Sequence, residues 1–98
     1  MFARVAVYDI PGHRMNEAVE SFRAAVTRIR EMHPKEILVL VSPEDGRALT
    51  MSLWEQRGEL EASRLSATRA RGDAAKAVDG TVQSVVEYEV ALRETTDS

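Results

Sequence analysis

Read as hydrophobic and polar positions, the chain falls into six periodic segments. Around Ala3 to Ile10 the residues alternate, with Ala3, Val5 and Val7 on one face and Phe2, Arg4, Ala6 and Tyr8 on the other, which predicts a strand. Pro11-Gly12 punctuates it. Met15, Ala18, Val19, Phe22, Ala25, Val26, Ile29 and Met32 then recur at spacings of three and four, the pattern of an amphipathic helix. His33-Pro34 stops that helix, because proline cannot continue it and restricts the residue before it. Ile37 to Val41 is an unbroken apolar run of strand length, and Ser42-Pro43-Glu44-Asp45-Gly46 supplies the turn of a hairpin. In the third strand Leu49, Met51 and Leu53 alternate with Ala48, Thr50, Ser52 and Trp54.

Glu59 to Asp79 carries Leu60, Leu65, Ala74, Ala75 and Val78 on a polar, arginine-rich background interrupted by Gly72-Asp73, which predicts a weaker, broken helix ended by Gly80. Thr81 to Arg93 reads as the last strand, with Val82, Val86, Tyr88, Val90 and Leu92 on one face and Val85, Glu87, Glu89 and Ala91 on the other. Residues 1–93 form the expected single domain, and 94–98 a frayed tail.

The order β-α-β-β-α-β predicts an α+β, ferredoxin-like fold: a four-stranded antiparallel sheet with two helices on one face. Phasing the strands by their larger aliphatic residues assigns Leu49, Met51 and Leu53 to the helix-covered face. Phe2, Arg4, Tyr8, Thr50, Ser52, Trp54 and Glu87 then fall on the free face. Tyr88 points to the helices in this phasing and Tyr8 away from them. Arg4 and Glu87 lie within reach of a cross-strand ion pair, one that would fix the register of a dimer. Aromatic bulk on a free face, in a chain of 98 residues that buries only about 60–70% of its unfolded surface, predicts a homodimer.

Composition narrows the chemistry. The chain is 44% hydrophobic and 30% charged, ordinary for a folded domain, and its net charge of −3 gives no general attraction to nucleic acid or anionic membranes. Zero Cys removes disulfides, thiolate nucleophiles and Cys-type metal sites, and fits a reducing compartment. Neither a secretory leader nor a membrane span is legible, so the expected address is the cytoplasm. Phosphate-binding glycine loops, H-E-x-x-H and serine-elbow motifs are also missing, and no metal or cofactor is expected.

The stretch from Gly46 to Trp54-Glu55, the ending Val85-Val86-Glu87-Tyr88-Glu89-Val90 and the early Gly12-His13 resemble the antibiotic biosynthesis monooxygenase-like family of dimeric α/β-barrel proteins. The resemblance implies a homodimer whose sheets face each other and a pocket between sheet and helices. Some such proteins oxidise polycyclic phenols without a cofactor, and related ones degrade haem. In the phenol-oxidising type a Trp at the position of Trp54 lines the pocket with an Asn four residues earlier, where this chain has Thr50. The haem-degrading type uses a His on the second helix and an Asn on the first strand. Both histidines here, His13 and His33, precede the second strand, and the first strand has no Asn.

On this reading Trp54, Thr50 and Phe22 bind a small aromatic or apolar molecule, Trp54 by stacking. His13, Trp54 and Tyr88 form the candidate catalytic set, in which Trp54 packs the rings and His13, Thr50 or Tyr88 handles the proton of a phenol. The plainer alternatives are packing for Trp54 and Tyr88, a surface loop for His13 and a helix end for His33; Arg64, Arg69 and Arg71, with Lys76 further on, read as a solvated helix face, with an anion-attracting pocket rim as the alternative. The enzyme reading, a cofactor-independent monooxygenase-like protein, therefore stands beside a non-catalytic homodimeric ligand-binding or interaction domain.

Overall fold

The alternating segment at the N-terminus forms strand β1 (Phe2–Asp9), and the structure, a computed structural model, describes residues 1–96. A single 3-10 turn over Gly12–Arg14 leads into helix α1 (Met15–Arg30), whose buried stripe is Met15, Ala18, Phe22, Ala25 and Ile29. His33 ends this segment in the left-handed region, with φ 63°. Strands β2 (Glu36–Ser42) and β3 (Arg47–Trp54) are joined by a 3-10 turn that closes on Gly46. Gly46 sits at φ 61°, where a Cβ is strained, and its carbonyl accepts a 2.8 Å hydrogen bond from the Ile10 amide. Helix α2 (Arg57–Lys76) and strand β4 (Thr81–Glu89) complete the chain.

The strand order is β2-β3-β1-β4 with every neighbouring pair antiparallel, so the ferredoxin-like prediction holds. Three boundaries differ. The second helix is continuous through Gly72-Asp73, because Gly72 lies on its exposed side and its backbone stays helical. Gly80 does not supply the left-handed residue after that helix; Asp79 does, at φ 57°. Gly80 instead makes room, since a Cβ there would stand 2.5 Å from Ile10 Cδ1 and 3.2 Å from the Ala75 carbonyl oxygen. The last strand ends at Glu89 rather than Arg93, although the Val90 amide still donates to the Met1 carbonyl at 2.9 Å. Of the expected frayed tail, residues 97–98 lie outside the described residues.

Register decides which face is which. Arg4 stands opposite Ser52 and Glu87, and Tyr8 opposite Ala48. Arg4 hydrogen-bonds α2 at Leu60 and Ser63, while the Tyr8 ring lies 4.7 Å from that of Phe22 on α1. These strand positions therefore face the helices, and the expected phasing is inverted. Arg4, Tyr8, Ser52, Trp54 and Glu87 belong to the helix-covered side; Leu49, Met51, Leu53 and Tyr88 belong to the open side. The one irregularity of register lies in β4, opposite Val7 and Tyr8.

The inversion has a steric cause. The side of α2 turned to the core is made mostly of small residues, Ser63, Ala67, Ala70, Ala74 and Ala75, with Leu60 and Arg71 the larger exceptions; along the small ones the helix approaches closely and leaves space for large residues from the sheet. Trp54, Tyr8 and Phe22 fill that space and are fully buried. On the open side, the central row across the sheet is Leu38, Met51, Val5 and Val86, flanked by Leu40, Leu49, Val7, Leu53 and Tyr88. The charged residues on this side, Glu36, Asp9 and Arg47, stand at the strand ends, and Ser84 on the edge strand β4 is opposite Val7.

Candidate functional site

Between β1, β4 and α2 the polar positions converge on Arg4. Its side chain is 3% exposed and lies over Trp54, 5.9 Å from the ring centroid. It donates to Ser63 Oγ at 2.9 Å, to the Leu60 carbonyl at 2.8 Å and to Glu87 Oε2 at 2.9 Å. Arg64, the residue after Ser63 and more exposed, donates to the same Glu87 carboxylate at 3.0 Å. Hydrogen bonds from Arg64 first, then from Arg4, hold the Glu87 carboxyl down at about 2, against the opposing effect of burial. Glu87 thus bridges a buried arginine and an exposed one. The sequence-level pairing of Arg4 with Glu87 is correct, but it lies under the helices and not at a free face.

These residues line a cleft of about 330 Å³ between α2 and β4, walled by Arg4, Arg64, Thr68, Arg71, Val85 and Glu87. Behind it, Arg4 and Arg71 also border a void of about 10 Å³ reaching Thr50, Ser52, Ile29, Ile37 and Ala67. That void has room for one water at most. The interior beside Trp54 is filled: the indole N–H donates to Ser52 Oγ at 2.9 Å, and Tyr8 and Thr50 share a hydrogen bond of 2.8 Å. Burial pushes the Tyr8 phenol up, with the Thr50 hydrogen bond and the Arg71 charge opposing it.

The candidate catalytic set is not assembled. His13 is exposed in the 3-10 turn beyond the Asp9 end of β1. Trp54 pairs with Phe2 at the opposite end, roughly 23 Å away along the strand. Tyr88 stands opposite Ala3 on the other side of the sheet and is 53% exposed. Thr50, Trp54 and Phe22, the candidate binding set, do share the helix side, but as packed core. His33 is exposed at the end of α1. Among Arg64, Arg69 and Arg71, expected as one solvated face, Arg71 is buried and Arg64 is engaged with Glu87.

Sequence reasoning missed the role of Arg4 and Arg71. The available signal was that α2 offers mostly small residues inward, so the guanidinium of Arg71, in the second half of the helix, and one on β1 meet across the same gap. Among the described residues no cluster of His, Asp and Glu is arranged to hold a metal ion, and no helix is long and apolar enough to cross a membrane.

No protein-family model and no curated protein sequence matches the chain. Solved structures do. A point variant of MhuD with two manganese protoporphyrin IX molecules bound per active site aligns at TM-score 0.75 and 17% identity, over 98% of this chain and 100% of that one. A candidate antibiotic biosynthesis monooxygenase from Nitrosomonas europaea aligns at TM-score 0.69 and 12% identity, over 94% and 100%. Another, from Deinococcus radiodurans, aligns at 0.68 and 16%, over the whole of both chains. The chain has the α+β fold of the antibiotic biosynthesis monooxygenase-like proteins.

Proposed function

We propose that the protein is a homodimeric binding domain: two copies pair through the open faces of their sheets, and each holds a small molecule on its helix side, in the cleft between α2 and β4. The observation that carries the pairing is the open face itself. Leu40 and Tyr88 are each about half exposed, Val86 and Leu38 little less, and they flank an apolar centre with charges only at its ends. That is the anatomy of an interface, with an apolar middle and a polar rim. A second copy covers such a face with a matching one by two-fold symmetry. Light scattering in solution should give the mass of two chains; a concentration-independent mass of one chain rules the pairing out.

A second reading, cofactor-independent oxidation of an electron-rich phenol, is favoured by one observation: Trp54, Tyr8 and Thr50 share the helix side of the sheet, beside the void that borders Arg71. It ranks below binding because that interior is filled and His13 and Tyr88 are remote from it. Oxygen uptake and quinone absorbance with an anthrone-type phenol separate the two. Turnover by the wild type that is lost in Trp54→Phe would replace the binding reading with the oxygenase; no turnover across a phenol panel leaves binding.

A metalloporphyrin, which the MhuD structure holds, does not fit the residues present here. α2 has no histidine, His13 and His33 are exposed outside it, and the space beside Trp54 is occupied by protein. A cytoplasmic address goes with the reading, since the chain needs no disulfide to hold its fold.

A further inference from the structure

Arg71 lies inside the α2–β4 cleft without a carboxylate partner among the described residues. Its side chain is withdrawn from water, at 6% exposed, yet its only hydrogen bond runs from Nη2 to Thr68 Oγ1 at a long 3.3 Å. No side-chain nitrogen or oxygen that is fully shut from solvent lacks a partner, so the unused Nε and Nη1 donors open on the cleft and the void behind it. The cleft presents three guanidiniums, of Arg4, Arg64 and Arg71, against the single carboxylate of Glu87. Arg4 and Arg64 both engage that carboxylate. Burial draws the Arg71 guanidinium down from its usual value, with Tyr8 opposing it, the like charge of Arg4 adding to it and the Glu87 carboxylate opposing it. A buried cation left in this condition costs stability that an incoming anion would restore.

We propose that Arg71, helped by Arg64 and Thr68, binds the carboxylate of a small organic acid whose apolar body lies against Val85. The inference rests on the binding reading above and names its ligand class. The planar fork of a guanidinium matches the two oxygens of a carboxylate. Arg71 alone has that fork unclaimed. A dianionic phosphate would need Arg64 as a second full partner, which Glu87 already holds, and would face the Glu87 charge. The 41% exposed Val85 side chain supplies the apolar wall, and about 330 Å³ suits a ligand of one ring.

The test is calorimetric titration and thermal melting of the full chain with benzoate, benzyl alcohol and inorganic phosphate as probes. Benzoate should bind saturably at one site per chain and raise the melting temperature; benzyl alcohol should do neither, and phosphate should bind more weakly. Arg71→Met should weaken benzoate at least about tenfold and, without ligand, melt higher than the wild type, because an unpaired buried cation has been removed. Arg64→Gln, a change at a half-exposed residue, should weaken benzoate by a smaller factor and serves if Arg71→Met does not fold. No saturation by benzoate, or binding unchanged in both variants, overturns the proposal. Phosphate binding as tightly as benzoate overturns the carboxylate assignment. Light scattering on the same samples separates this from the pairing: a monomer that binds benzoate sinks only the dimer, and a dimer that does not bind sinks only this inference.

Discussion

Arg4 satisfies its donors with the Glu87 carboxylate, the Ser63 hydroxyl and the Leu60 carbonyl, so its charge sits inside the protein with acceptors on three sides. Breaking such a pair from the carboxylate side leaves the cation behind, and that is the costly direction. Glu87→Gln should therefore destabilise the fold at neutral pH by about 2 kcal/mol, less than for a wholly buried pair because the Glu87 side chain is 24% exposed. The pH dependence follows from the depressed carboxyl. Its folded value of about 2 lies below the ordinary ~4.3 of an unfolded glutamate, so the stability it contributes is present above that ordinary value. It is lost as pH falls from about 5 towards 2. Urea unfolding of wild type and Glu87→Gln should show a gap that is widest near pH 7 and narrows below pH 4, and a gap independent of pH would contradict the assignment. The pair was legible in the sequence because the alternation of β1 and of β4 can be phased with Arg4 and Glu87 on one face, where opposite charges attract. Which face it is could not be read, because a charge on a strand normally signals water and here it signals a buried network.

Among the elements, α1 was legible because its core stripe is made of large apolar residues at helical spacing. The second helix was not, for a physical reason. Its inward side is mostly alanine and serine, which barely register as hydrophobic, with Leu60 and Arg71 the larger members, while its other leucine, Leu65, points to solvent at 64% exposure. Gly72 looked like a break for the same reason: no strong periodicity carried the helix across it. In the structure Gly72 has helical company on both sides and open space where a Cβ would go. Gly72→Ala should therefore stabilise the protein by about 0.5–1 kcal/mol, read as a higher urea midpoint with an unchanged slope. A loss of stability would mean that α2 needs its flexibility at that turn. The strand phase failed through the same blind spot. Alternation in β1 and β3 is apolar on both faces, so the pattern gives the period and not the side. Size matching against the small residues of α2 would have placed Trp54 and Tyr8 inward. The candidate site followed the phase: Trp54 and Thr50 lie on the helix side but outside the α2–β4 cleft, Tyr88 lies on the open side, and Arg71, read first as part of a solvated face, is buried.

For the molecule as a whole, a two-layer arrangement leaves one sheet face without a second layer, and the residues on that face are those of a core. Met51 is at its middle, between Val5 on β1 and Leu38 on β2. A lysine at this position has opposite consequences in the two states of assembly. On a lone chain its ammonium reaches water from an open face, and the fold should tolerate it. In a face-to-face pair the two-fold axis brings two ammonium groups into one apolar layer, whose nearest carboxylate, Glu36, stands diagonally off at the strand end and is already engaged by Arg93 at 3.5 Å. Like charges without partners in such a layer cost several kcal/mol, so Met51→Lys should raise the dimer dissociation constant at least about 100-fold. Folding and pairing are linked by mass action, which gives a second signature. The melting temperature of the wild type should rise with protein concentration, while that of Met51→Lys should stay flat at the value of the separated chains. A helical circular dichroism spectrum retained in the variant shows that pairing, and not folding, has been lost. If both proteins melt at one concentration-independent temperature and scatter as single chains, the open face belongs to a different partner and the homodimer is refuted.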